Sequence, residues 1–204
     1  MTERLLKAAA VLGGVLLTLL ALTADASRPD KELDAAWSEF TDSQTHLEPA
    51  YRFPHATCFG SAALEYDLPE TLLLAVARGE SDFNPTARSK ANAHGVMQIL
   101  WPDTARHLGI HRLTDLYEPC TNIDAGARYL REMLDRYSGN VHLALAAYNY
   151  GPRRIPVDGR NIPSGATWYS GYIFRHLGYV LGTASERKPL GGMLYSDIGQ
   201  STLL

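Results

Sequence analysis

From Ala56 onward the apolar residues of this chain recur three and four positions apart, segment after segment, and almost never alternate. Spacing near 3.6 builds helices and spacing of two builds half-buried strands. The pattern therefore predicts a mainly α fold with little or no sheet. Helices are expected over 56–66, from Pro69 to Ser81, over a short stretch after Pro102, and over 123–137, 141–148 and 167–181. Pro69 and Glu70 suit the first turn of the second helix, proline for its fixed φ and glutamate for the positive helix end. Val141 to Tyr148 is apolar almost all round, the mark of a buried helix. Residues 95–99, "GVMQI", are the one candidate for an extended piece. Upstream, Leu33, Trp37 and Phe40 share one helical face, with Asp30 placed to cap it and the helix expected to dock on the domain.

The 204 residues suit one domain with extensions. With 46% hydrophobic and 20% charged residues the composition is that of a folded chain, and the net charge of −3 gives no basic footprint, so nucleic acid is not expected as a partner. Residues 1–26 combine Arg4 and Lys7, an apolar run from Ala8 to Leu22, and Ala24-Asp25-Ala26 as a cleavage site, the layout of a secretory leader. The run is also long enough to serve as an uncleaved anchor, the one route by which a membrane would become a partner. The remaining divisions are an N-terminal helix and linker over 27–53, a catalytic domain over 54–182 and a flexible tail over 183–204. In an exported chain Cys58 and Cys120 read as a disulfide; otherwise they are two buried thiols.

The apolar run that begins at Leu72 ends in a single carboxylic acid, Glu80, just before the helix-stopping Ser81, Asp82, Asn84 and Pro85. Low dielectric and the negative end of a helix both disfavour an ionised carboxyl and raise its pKa. Such a group makes a general acid near neutral pH; the plain alternative is a solvated glutamate at a helix end. Two other segments place amides and a tyrosine at the ends of apolar stretches: Gly95, Met97 and Gln98, then Tyr148, Asn149 and Gly151. They suit a groove that hydrogen-bonds sugar hydroxyls and acetamido groups. His107 and His111 stand four apart, but Gly109 between them ends the helix and no HExxH is present, so no metal or other cofactor is expected. Arg153 and Arg154 read as a solvated pair, and Trp101 and Trp168 as packing residues with a groove-flanking alternative.

In order along the chain, Glu80-Ser81, Ser89, Gly95-Val96-Met97-Gln98, Asn122-Ile123 with Gly126 and Tyr129-Leu130, and Ala147 to Pro152 resemble the motif series of the soluble lytic transglycosylase (SLT) domain. The resemblance covers about residues 54–180. It implies a goose-lysozyme-like helical domain with a groove. It also implies cleavage of the peptidoglycan bond between N-acetylmuramic acid and N-acetylglucosamine, with formation of a 1,6-anhydro ring and without metal. Residue by residue it makes Glu80 the sole acid and base and Ser89 the serine near a bound acetamido group. Met97 and Gln98 become groove residues, Tyr148 the tyrosine that approaches the carboxyl, and Asn149 its neighbour.

The family's E-T-x-x-Y pattern in the last helix is incomplete in "GATWYSGYI", which has no glutamate; Tyr172 is matched to its tyrosine. Tyr150 stands where alanine is frequent. The placing of Cys58 and Cys120 resembles small exported members that serve secretion systems or pili, which makes such an apparatus a candidate partner beside glycan strands. "LWPDTARHLG" resembles the housekeeping type instead. Two further readings stand beside transglycosylation: a hydrolytic lysozyme on the same fold, and a glycan-binding relic.

Overall fold

A computed structural model describes residues 29–43 and 47–183. The leader-like residues 1–26, residues 44–46 of the linker and the tail from 184 lie outside the described residues. Seven α-helices and one two-stranded hairpin make up the described residues. In chain order they are α1 (Pro29–Ser43), α2 (Ala56–Glu65), α3 (Glu70–Ser81), β1 (Ala93–His94), β2 (Ile99–Leu100), α4 (Asp103–His107), α5 (Pro119–Arg136), α6 (Val141–Tyr150) and α7 (Ser164–Val180), with a 3₁₀ turn at Leu113–Tyr117.

Helix α3 is the centre of the packing. Leu72, Leu73, Leu74, Ala75, Val76 and Ala77 are all essentially without exposure, because α7 lies along one side and α2 along the other. At Gly79 the approach is closest: a β-carbon there would sit 2.6 Å from Cδ1 of Ile173, so only hydrogen lets α7 come this near. Helices α5, α6 and α7 pack in sequence, and α2 lies on α5. Cys58 of α2 is bonded to Cys120 in the first turn of α5, the disulfide alternative of the two expected for the pair.

Helix α1 begins at Pro29, one residue before the expected cap at Asp30. It lies against α6 and α7. Trp37 is buried, its Nε1–H donates to Ser170 Oγ at 2.9 Å, and its ring meets Phe174 edge to face. Asn140 ties the same corner together: its Oδ1 caps α6 by accepting from the Leu143 amide at 2.8 Å, and its Nδ2 donates to Asp34 of α1 at 2.7 Å.

Two expected elements are corrected. Helix α5 starts at Pro119 rather than Ile123, with proline inside its first turn where the lost N–H costs nothing. Of the extended piece expected over 95–99 only Ile99 is strand; residues 95–98 are the turn of a hairpin, with Ala93 paired to Leu100 and His94 to Ile99. Gly95 takes φ 79°, and a β-carbon on it would collide with Asn122 and the Leu116 carbonyl.

Candidate active site

Helix α3 ends abruptly one residue after Glu80. Asp82 and Phe83 both take left-handed backbone, φ 51° and 63°. Ser81 fixes the stop: its hydroxyl donates to the Val96 carbonyl at 2.8 Å and accepts from the Asn84 amide at 3.1 Å. The chain thus turns away and leaves Glu80 inside, only 3% exposed. Its Oε1 accepts a 2.5 Å hydrogen bond from the Tyr169 hydroxyl of α7. Burial pushes the Glu80 pKa up to about 7, and the bond from Tyr169 works against that rise by favouring the ionised form. Asp82, the next acid along the chain, points outward; its side chain is 77% exposed and pairs with Arg78 at 3.3 Å.

The hairpin that Ser81 holds through the Val96 carbonyl hangs on one buried amide. Asn122 Oδ1 accepts from the Met97 amide at 2.7 Å, and Nδ2 donates to the carbonyls of His94 and Leu116, each at 2.9 Å. Gln98 sits in left-handed backbone, φ 49°, at the end of the turn. Its Nε2 donates to the carbonyls of Gly95 at 2.9 Å and Ala87 at 3.3 Å. Its Oε1 is buried without a hydrogen-bond partner within the described residues. A buried amide oxygen left this way is an acceptor ready for a ligand N–H.

Tyr148, which lies within reach of the Glu80 charge, forms part of the wall of a cavity of about 560 Å³. Gln98, Tyr129, Tyr148, Asn149, Tyr150 and Arg153 are among its lining. Tyr148 links the cavity to the acid: its hydroxyl donates to the Met97 carbonyl at 2.8 Å, and burial followed by the nearby Glu80 charge drives its own pKa well up.

Of the residues singled out from sequence, Gln98, Tyr148 and Asn149 line the cavity and Glu80 stands behind it. Met97 does not line it as a side chain: the thioether is fully buried against Gly126, and only its carbonyl meets Tyr148. Ser89 is buried, and its Oγ accepts from the Ala93 amide at 3.0 Å, holding the loop before β1. Tyr148 is not the tyrosine bonded to the carboxyl; that is Tyr169. Tyr172, matched from sequence, lies one turn along α7 and donates to the Gly79 carbonyl at 3.2 Å. Sequence reading missed Tyr169 because both tyrosines fit one helical segment and spacing does not say which faces α3. Counting back from Tyr169, the glutamate position of E-T-x-x-Y falls on Gly165, and the Tyr150 hydroxyl fills the space a side chain there would take. His107 pairs with Glu132 at 2.6 Å.

Comparison with known proteins gives the same direction. The model of the transglycosylase SLT domain matches residues 57–169. A transglycosylase of Enterobacteria phage PRD1 is 36% identical over 125 residues, which cover 61% of this chain and 43% of the phage protein. The soluble lytic murein transglycosylase of Escherichia coli is 33% identical over 117 residues, 54% of this chain and 18% of that one. Among solved structures, an inactive glutamate-to-glutamine mutant of lytic transglycosylase Slt from Pseudomonas aeruginosa superposes with a TM-score of 0.54 at 30% identity, covering 66% of this chain and 26% of that one. The chain therefore spans less than half the length of these relatives. With the matched segment taking in α3, the hairpin, α5, α6 and the first part of α7, the chain belongs to the transglycosylase SLT domain family.

Proposed function

We propose that this domain cleaves the β-1,4 bond between N-acetylmuramic acid and N-acetylglucosamine in peptidoglycan, with Glu80 as its acid and base. The observation that carries the reading is a buried carboxyl with a pKa raised to about 7, set behind Tyr148 in the wall of a cavity that also holds Tyr129, Tyr150, Gln98 and Asn149. Near neutral pH such a group is protonated often enough to act as an acid and ionises readily enough to act as a base. The P. aeruginosa relative supports the assignment, since one glutamate-to-glutamine change makes that protein inactive.

In the first step protonated Glu80 gives its proton to the bridging oxygen as the bond from the muramyl C1 breaks. Glu80 is left as a carboxylate and N-acetylglucosamine leaves with a free hydroxyl. In the second step the carboxylate removes the proton of the muramyl C6 hydroxyl, whose oxygen closes on C1. The product is 1,6-anhydromuramic acid, the proton is back on Glu80, and no water is consumed. Ordinary glycosidases need two carboxylates. The outward, Arg78-paired Asp82 is no second one. The substrate's own acetamido group and C6 hydroxyl serve instead. Tyr169 orients the carboxyl and steadies its ionised form between the two steps. Gln98 Oε1 takes the N–H of an acetamido group. A substrate in the cell wall fits both the leader-like first 26 residues and the disulfide, and the domain is read as periplasmic or exported on that basis.

Digestion of purified peptidoglycan, followed by mass spectrometry of the muropeptides, tests this. Products lighter by one water than hydrolytic ones, and absent with Glu80→Gln, are expected. Reducing-end products would show a lysozyme on the same fold. No glutamate-dependent product would leave a binding domain.

A further inference from the structure

Arg153 and Arg154 line the cavity, yet no step of the proposed reaction uses them. The fold sets their position closely. Helix α6 stops where Gly151 takes φ 80°. A tight turn follows, in which the Arg154 amide donates to the Gly151 carbonyl at 3.1 Å. Directly after it Ile155 is buried, only 2% exposed. The hydroxyl of Tyr137, just past the end of α5, donates to the Ile155 carbonyl at 2.9 Å and lies 3.3 Å from that of Pro152. The backbone is thus pinned on both sides of the arginine pair, and its ordering cost is met on folding.

Both arginines are exposed, whereas Gln98 and Tyr148 of the same lining are buried, so the pair stands at the mouth of the cavity. Arg112, Arg128, Arg131 and Arg160 each pair with an acid. Arg153 and Arg154 have no acid within ion-pair distance among the described residues. Asp103 is the one acid on the cavity lining and pairs with neither. A chain of net charge −3 therefore keeps two adjacent cations unengaged beside its candidate site. A guanidinium is always charged, and its planar fork matches a carboxylate with two parallel hydrogen bonds. One exposed ion pair is worth little; two forks on a fixed turn, acting on one ligand, are worth more. In peptidoglycan the N-acetylglucosamine ring is neutral, and free carboxylates are carried by the stem peptides. A strand seated by its sugars inside the cavity leaves those peptides toward the mouth.

We infer that Arg153 and Arg154 bind the carboxylates of a stem peptide, so that the domain favours peptide-bearing strands. The inference rests on the proposed peptidoglycan reading and adds the peptide side of the substrate to it. Both arginines are binding residues and take no part in the chemistry.

Equilibrium binding in the full chain with Glu80→Gln tests it, since that variant holds strands without turnover. The probe is soluble peptide-bearing glycan strands, used as isolated and with their stem carboxylates converted to amides. Amidation is expected to raise the dissociation constant about tenfold. Adding Arg153→Gln/Arg154→Gln is expected to weaken binding of the unmodified strands about tenfold and to abolish the further loss on amidation. Arg153→Lys/Arg154→Lys keeps the charge without the fork and is expected to fall between the two. Circular dichroism of each variant fixes the folded fraction. An amidation loss of equal size with and without the arginines, or none in either chain, would overturn the arginine site while the peptidoglycan reading stands. Strands freed of stem peptides expose the lactyl carboxylate of the muramyl ring. If these bind as tightly as peptide-bearing strands, and lose as much on removing the arginines, the site reads that carboxylate and the stem-peptide inference falls. No binding of any strand by the Glu80→Gln chain, with no cleavage by the parent, would overturn both.

Discussion

The Tyr169 hydroxyl donates to Oε1 of Glu80 across 2.5 Å, joining the last turn of α3 to the first half of α7 inside the protein. A phenol next to a carboxylate can only stabilise its charged form, while burial does the opposite. Burial wins, and the group rests at about 7. In the proposed reaction the first step needs protonated Glu80, so kcat/KM of the parent is expected to fall as pH rises through about 7.

Tyr169→Phe removes the hydrogen bond and keeps the ring. The ionised form loses its support, so the alkaline limb of kcat/KM is expected to move to higher pH. At the optimum the rate falls roughly tenfold or more, since a charge-assisted bond orients the acid. A limb that stays in place or moves to lower pH would show that the phenol does not support the carboxylate.

Glu80→Gln addresses the same balance through stability. The folded pKa of about 7 exceeds the ordinary 4.5 of the unfolded chain. A raised folded pKa means that the group's contribution is fully present below pH 4.5 and is lost as pH rises through 7. Wild type is therefore expected to lose on the order of 3 kcal/mol relative to Glu80→Gln between about pH 4 and pH 9. Urea unfolding of both proteins at the two pH values measures it; parallel pH dependence would mean that the buried carboxyl is not perturbed.

Trp37→Phe tests how far α1 governs this corner. The indole N–H donates to Ser170 Oγ, and His142 Nδ1 lies 2.9 Å from the same oxygen. Ser170 follows Tyr169 directly in the chain. Losing the donor leaves a buried hydroxyl short of one partner, at a cost of roughly 1–3 kcal/mol. The urea midpoint is expected to drop accordingly. An unchanged midpoint would mean that the contact between α1 and α7 adds nothing to stability.

What could be read in the sequence and what could not divide along physical lines. The helices were legible because a half-buried helix repeats its apolar residues near 3.6, as Ile123, Ala127, Leu130, Leu134 and Tyr137 do, and because a helix apolar almost all round, such as Val141 to Tyr148, reads as buried. The burial and raised pKa of Glu80 were legible because an acid at the end of such an apolar run is unusual. Residues 95–98 were misread because Gly95, Val96 and Met97 in a row, followed by Ile99, suit an extended strand as well as a tight turn. The turn depends on the left-handed Gly95 and Gln98 and on Asn122, which is 27 residues beyond Gly95. Met97 looked like a groove residue but packs on Gly126, a contact between the hairpin and α5 that no local pattern announces. Tyr169 and Tyr172 were confused because the choice between them is set by the rotation of α7 against Gly79, a long-range packing fact.

The disulfide links stability to the site through Asn122. Cys58 and Cys120 are 62 residues apart, and closing a loop of that length stabilises by about 4 kcal/mol in the chain-entropy account. The bond anchors the first turn of α5 to α2, two residues before the amide that holds the carbonyls of His94 and Leu116 and the Met97 amide. Loosening that turn should free the hairpin before the rest of the domain unfolds, because the three bonds through Asn122 tie the hairpin and the preceding 3₁₀ turn to α5. The double variant Cys58→Ala/Cys120→Ala is expected to lose about 4 kcal/mol in urea unfolding and to show faster amide exchange at residues 93–100 under native conditions. Equal loss of protection across α3 and the hairpin would instead make the disulfide a global staple with no particular hold on the site.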